Sequence, residues 1–236
     1  MATIHPSNRP ASRIAAGDHV LEAAKTADTR AVKAKLAAFA RAHAALVAAH
    51  AVATKAEMAL HDAQDAVGDA DAEQDAAVHA LAAKMVGDGA PKANPFNVFG
   101  LAAPSVVAVT AVEKEVALTA KLATLASKWK SATIGTKQAA ALLAKKSAGT
   151  KKALADMVPM RKAQAAAIAK RDALGVPWAR AFAHLKNAAR TAEDDGARGL
   201  YAALFGVTAA PRARAARKVG GAEVPPAAAA EAEKTR

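Results

Sequence analysis

Residues 32–67 read VKAKLAAFARAHAALVAAHAVATKAEMALHDAQDAV, and the spacing in this stretch decides the fold class. Val32, Phe39, Leu46, Ala53, Leu60 and Val67 recur every seven residues. That period keeps one stripe of a helix turned toward a neighbouring helix. After an 11-residue step, Val78, Leu81 and Met85 resume the seam. Sevens interrupted by an eleven are the pattern of long helices packed side by side. From Asp18, read as the N-cap, to about Val86 there is no proline, and Gly68 is the one glycine at which the helix could divide. At about 1.5 Å per residue the segment predicts a helix on the order of 100 Å long.

Downstream, residues 87–104 hold Gly87, Gly89, Pro91, Pro95, Gly100 and Pro104, a density of turn formers that predicts a reversal. Beyond it Leu118, Leu122, Leu125, Trp129, Ala132, Thr136, Ala139 and Leu143 alternate in steps of three and four, continuing through Leu154 and Met157. Pro159 is expected to kink or end this second helix. The expected fold is therefore all-α. A long antiparallel, coiled-coil-like hairpin with an alanine-rich seam spans 18–174, and folding it about residue 95 places position i opposite roughly 190 − i. Residues 1–17, with Pro6, Pro10 and Gly17, read as a flexible arm, and residues 175–206 as a short aromatic-rich helical element starting at Pro177. Residues 207–236 read as a disordered basic, Ala- and Pro-rich tail.

Alanine supplies 74 of the 236 residues, so the 53% hydrophobic share conceals a scarcity of large side chains. Alanine is the best helix former but buries little apolar area, which disfavours a thick core and a large α/β enzyme. The absence of cysteine removes disulfides, thiolate catalysis and zinc–thiolate sites. The N-terminus has no apolar signal-peptide region, and no transmembrane helix is expected because no long charge-free stretch is rich in large apolar groups. A cytoplasmic location, or a place in an intracellularly assembled particle, is the expectation.

The net charge of +12 is unevenly spread: −1 over residues 1–103, +9 over 104–174 and +4 over 175–236. Glu57, Asp62, Asp65, Asp69, Asp71, Glu73 and Asp75 form an acidic block, expected to face Lys121, Lys128 and Lys130. At the other end Lys25, Arg30, Lys33, Lys35 and Arg41 are expected to face Lys145, Lys146, Lys151, Lys152, Arg161 and Lys162. Both sides are basic there. With Arg212, Arg214, Arg217 and Lys218 of the tail they form a candidate polyanion-binding set, for DNA or RNA through phosphates, against the plainer reading of a solvated surface.

Motifs for chemistry are weak. His43, His50 and Glu57 are seven apart, about 10 Å along a helix, too far for one metal ion. Glu57, His61 and Asp65 lie four apart but lack a partner motif of the di-iron type. Ser127-Lys128-Trp129-Lys130 matches Ser-x-x-Lys without the other elements of a serine acyl-enzyme, and Gly87–Lys92 lacks the ending of a phosphate loop. No enzyme, cofactor or metal is expected. Phe96 and Phe99 in the turn, and Trp178, Phe182, Tyr201 and Phe205 near the C-terminus, either cap the helix ends or anchor another subunit; the interface reading is carried forward. The leading expectation is a non-catalytic helical rod that self-associates into a homo-oligomer such as a bundle, filament, sheath or virion-like particle. The alternative is a sequence-nonspecific nucleic-acid-binding or nucleoid-organising protein. A lipid coat fits less well, since its faces want Leu, Phe and Trp.

Overall fold

A computed structural model describes residues 4–206. The protein is all-α: about 80% of the described residues are helical, with no strand among them. Seven α-helices follow in order: α1 (Pro10–Ala23), α2 (Lys33–Gly87), α3 (Pro104–Val107), α4 (Val112–Ser127), α5 (Ile134–Ala173), α6 (Gly175–Asp194) and α7 (Leu200–Phe205). Short 3-10 turns occupy Arg30–Val32 and Pro95–Phe99.

The central helix α2 runs 55 residues without a break, about 80 Å at the α-helical rise. Gly68 does not divide it, because the glycine is exposed and the turns on either side keep their helical bonds. Helices α5 and α6 lie against it in the opposite direction. Asp88 meets Thr133, Glu73 meets Lys146, Ala70 meets Thr150, and His43 meets Trp178. Position i therefore faces roughly 220 − i.

That register differs from the expected 190 − i for a local reason. The seam from Leu118 to Leu143 is not one helix: it breaks at Lys128–Thr133, and α4 folds back against α5. Thr133 supplies the N-cap of α5, accepting from the Thr136 N–H at 3.5 Å. Asp88 accepts from the Thr133 N–H at 2.8 Å and from its hydroxyl at 3.0 Å, tying the start of α5 to the end of α2. The 3–4 spacing survives across the break because both halves present apolar residues to the same core.

Two further expectations change. Pro159 lies inside α5 without ending it. It is exposed, so the carbonyl left without an amide partner one turn earlier remains open to water. The expected arm is helical from Pro10, which takes the first helical position, and Asp18 is inside α1 rather than at a cap. Ahead of α1, the Ile4 N–H donates to the Phe205 carbonyl at 3.0 Å.

The large side chains collect in two cores. Near the start of α2, Val20, Phe39, Leu46, Trp178, Phe182, Leu204 and Phe205 pack α1, α2, α6 and α7 together. Toward its end, Leu81, Met85, Phe96, Leu122 and Leu143 join α2, the Pro95–Phe99 turn, α4 and α5. Between them α2 and α5 meet mainly through Ala49, Ala53, Leu60, Met157 and Ala167. Such contacts bring the backbones close but remove little apolar area from water.

Candidate functional site

The register redistributes the expected basic surface. Lys145, Lys146, Lys151 and Lys152 run beside the acidic block of α2 rather than beside Lys25–Arg41: Lys146 Nζ lies 2.7 Å from Glu73, and Lys152 pairs with Asp156. Half-buried Arg171 reaches Glu57 at 3.9 Å and Asp172 at 2.8 Å. Lys25 pairs with Glu22. Arg30 pairs with Asp28 at 2.6 Å, and its side-chain hydrogen bond holds the Asp28 carboxyl down at about 2. Lys33, Lys35 and Arg41, at the start of α2, are exposed and form no ion pair among the described residues. Lys145, Lys151, Arg161 and Lys162 are also exposed, with an Arg161 nitrogen 3.9 Å from the Met157 sulfur. Arg212, Arg214, Arg217 and Lys218 lie outside the described residues.

Four of the six expected interface aromatics are core residues. Phe96, Trp178, Phe182 and Phe205 are buried. Trp178 and Phe182 stack at 5.0 Å, Phe39 meets both rings edge-on at 5.7 Å, and Phe205 meets Phe182 edge-on at 5.5 Å. Phe99 is half-buried against Trp129, and Tyr201 is half-buried with Arg190 over its ring at 4.8 Å. A chain so poor in large side chains uses the four buried rings to close its own ends, while Phe99 and Tyr201 keep part of their surface exposed.

Two polar features had no clear signal in the sequence. The first is His43, buried at the proximal core. The Trp178 indole N–H donates to its Nδ1 at 3.2 Å, so Nε2 carries the proton and donates to Asp18 at 2.9 Å. This lock joins α1, α2 and α6. Gly17 is part of it, since a Cβ there would collide with the imidazole.

The second is a polar layer where α2, α4 and α5 meet. Gln74, Glu115, Thr119, Ser147 and Thr150 are all buried there, with Asp71 and Asp75 half-buried at the edge. The hydroxyls are satisfied: Thr119 donates to the Glu115 carbonyl at 2.8 Å, Ser147 to the Val116 carbonyl at 3.0 Å, and Thr150 to the Ala70 carbonyl at 3.0 Å. Both carboxyl oxygens of Glu115 and both side-chain ends of Gln74 lack a hydrogen-bond partner. Burial pushes the Glu115 carboxyl up to about 7; Gln74 offsets part of this, and the nearby Asp75 and Asp71 charges add to it. Asp71 is raised for the same reasons, burial first and then Asp75. The layer is a buried polar joint between stretches of apolar seam. The one legible clue was Glu115 at a position three before Leu118, on the seam itself.

A groove of about 570 Å³ runs between α4 and α5, walled by Val116, Ala120, Ala148 and Leu154. A smaller one of about 350 Å³ lies between α2 and α5 beside Val52 and Leu174. No group of three or more His, Asp or Glu side chains among the described residues is placed to hold a metal ion. By length and composition the Arg30–Gly87 helical segment includes a stretch of mean hydropathy 1.4, enough to cross a membrane, and 28% of that stretch is buried within the protein. What these features define is an all-helical protein with two compact ends and a thin, alanine-lined middle. No family model, curated protein or solved structure matches the chain.

Proposed function

We propose that this protein is a non-catalytic structural rod, an antiparallel helical hairpin with a coiled-coil-like, alanine-rich seam, that self-associates into a larger homo-oligomeric assembly in the cytoplasm. One observation carries the reading: only 28% of the most apolar 18-residue stretch of α2 is buried. Val52 and Met58 on α2 and Val158 on α5 are each more than half exposed on this middle section. A helix pair that leaves so much of its apolar surface in water gains stability when other helices cover it. Size-exclusion chromatography with light scattering tests this: the expected mass is a multiple of 23.9 kDa, and negative stain should show ordered particles or filaments. A monomer at high micromolar concentration refutes it.

A second reading, nucleic-acid binding through phosphates, is favoured by Lys33 and Lys35, which are exposed and unpaired at the +12 chain's proximal end. It predicts salt-removable absorbance at 260 nm in the purified protein.

A further inference from the structure

Helix α2 carries a second seam that the fold leaves uncovered. Arg41, Ala45, Ala48, Val52, Lys55, Ala59 and Asp62 follow one another in alternating steps of four and three. This is the same heptad spacing as the buried stripe, turned to another side of the helix. Ala59 is half-buried and the rest are exposed. Its central part forms one wall of the 350 Å³ groove, with Ala167 and Leu174 of α5 opposite.

The charges around this seam are ordered along the helix. From 25 to 41 there are five basic residues and one acidic residue, Asp28. Between 42 and 54 there is no Asp, Glu, Lys or Arg. From 57 to 75 there are seven acidic residues and no Lys or Arg. The seam ends on one member of each group, Arg41 and Asp62, and neither has an ion-pair partner among the described residues.

We infer that the seam is covered by the same side of a second copy, running antiparallel and centred between Ala51 and Val52, with the seam residues Arg41, Ala48, Lys55 and Asp62 meeting one another and the rest meeting residues on the flank of the seam. This rests on the assembly reading and deepens it by naming the partner and the face. In that pairing position i lies opposite 103 − i. Arg41 then meets Asp62 of the partner subunit and Asp62 meets the partner's Arg41, two ion pairs about 30 Å apart that bracket the apolar centre. Ala45 lies opposite Met58 of the partner subunit. Met58 is 64% exposed, and its long thioether fits a groove floored by alanine. Lys55 lies opposite Ala48 of the partner subunit, where its methylene stem covers the small residue while the ammonium stays in water.

Charge selects the direction. A parallel pairing of the same seam sets Arg41 on Arg41, Lys55 on Lys55 and Asp62 on Asp62, whereas the antiparallel one converts two of these repulsions into attractions. The antiparallel arrangement is also a closed two-fold contact in which residue i meets j and j meets i.

The test uses the full, nuclease-treated chain in analytical ultracentrifugation, with R41E, D62R and the double swap R41E/D62R. Each single substitution puts like charges together twice per dimer and should weaken association about tenfold or more. The double swap should restore it to within about threefold, because each pair is re-formed with its signs exchanged. Both sites are exposed, so far-ultraviolet circular dichroism should match the wild type in all three. If the wild type assembles and the single variants assemble equally well, the seam is not the interface, while the assembly reading stands. If the singles weaken association and the double does not restore it, the antiparallel register is wrong. A wild type that stays monomeric but floats with phosphatidylcholine–phosphatidylglycerol vesicles overturns both and assigns the face to lipid.

Discussion

Replacing Glu115 by Gln should stabilise the protein at neutral and alkaline pH while changing little in acid. The Glu115 side chain is buried with both oxygens unpartnered, and its carboxyl is pushed up to about 7 from 4.5. Between those two values the folded protein holds a proton that the unfolded chain has released. Stability is therefore greatest at the acid end of that window and falls as pH rises through it. At about 1.4 kcal/mol per pH unit the full shift is a ceiling of about 3 kcal/mol. Relaxation and water penetration around the ionised carboxylate lower the expected effect to on the order of 2 kcal/mol. Gln has the same shape and cannot ionise. Thermal melts of wild type and E115Q at half-unit steps from pH 5 to pH 8.5 are the assay. The curves should nearly coincide at pH 5 and diverge to about 4–8 °C at pH 8.5, with E115Q higher. A difference that is flat with pH, or an E115Q that melts lower at pH 8.5, would refute the polar-layer reasoning.

Trp178→Ala should cost about 3–5 kcal/mol, read from denaturant melts, because the indole fills the proximal core and donates to His43. Truncation after Leu174 should lose more helical signal than the residues removed, since the first turns of α2 lose Trp178, Phe182 and Phe205; a truncated protein that keeps α1 and α2 folded would return these rings to an interface role. Gly17→Ala should lower stability by about 1–3 kcal/mol through overpacking against His43, whereas Gly68→Ala, with nothing nearby to meet, should leave it unchanged or higher. Asp88→Ala should lower the melting temperature by freeing the start of α5. The nearby Thr136 hydroxyl and the hydrogen bonds from the Thr133 amide and hydroxyl hold the Asp88 carboxyl below its usual value, so this contribution is present at neutral pH and lost on strong acidification.

The all-α class and the scarcity of core were legible in residues 32–85, because heptad spacing and alanine content are local properties of the chain, whereas the expected helix from Asp18 is divided between Ala23 and Lys33. The density of glycine and proline after Gly87 likewise marked where α2 must end. What could not be read was which helix faces which. The 3–4 pattern is continuous from Leu118 to Leu143, so nothing in its period reveals that the chain reverses at Lys128–Thr133. That reversal depends on Asp88, 45 residues away in sequence, reaching the amide and hydroxyl of Thr133. It moves every facing pair by about 30 positions. The lysines of 145–152 thereby come to lie beside the acidic block, and Glu115 is brought into a layer with Gln74. The aromatics near the C-terminus become core for a related reason: Phe39 and Trp178 are 139 residues apart, and only the closed antiparallel pair brings their rings to 5.7 Å. Periodicity reports which side of a helix is apolar; the partner of that side is chosen by long-range packing and by a few polar contacts that no local pattern encodes.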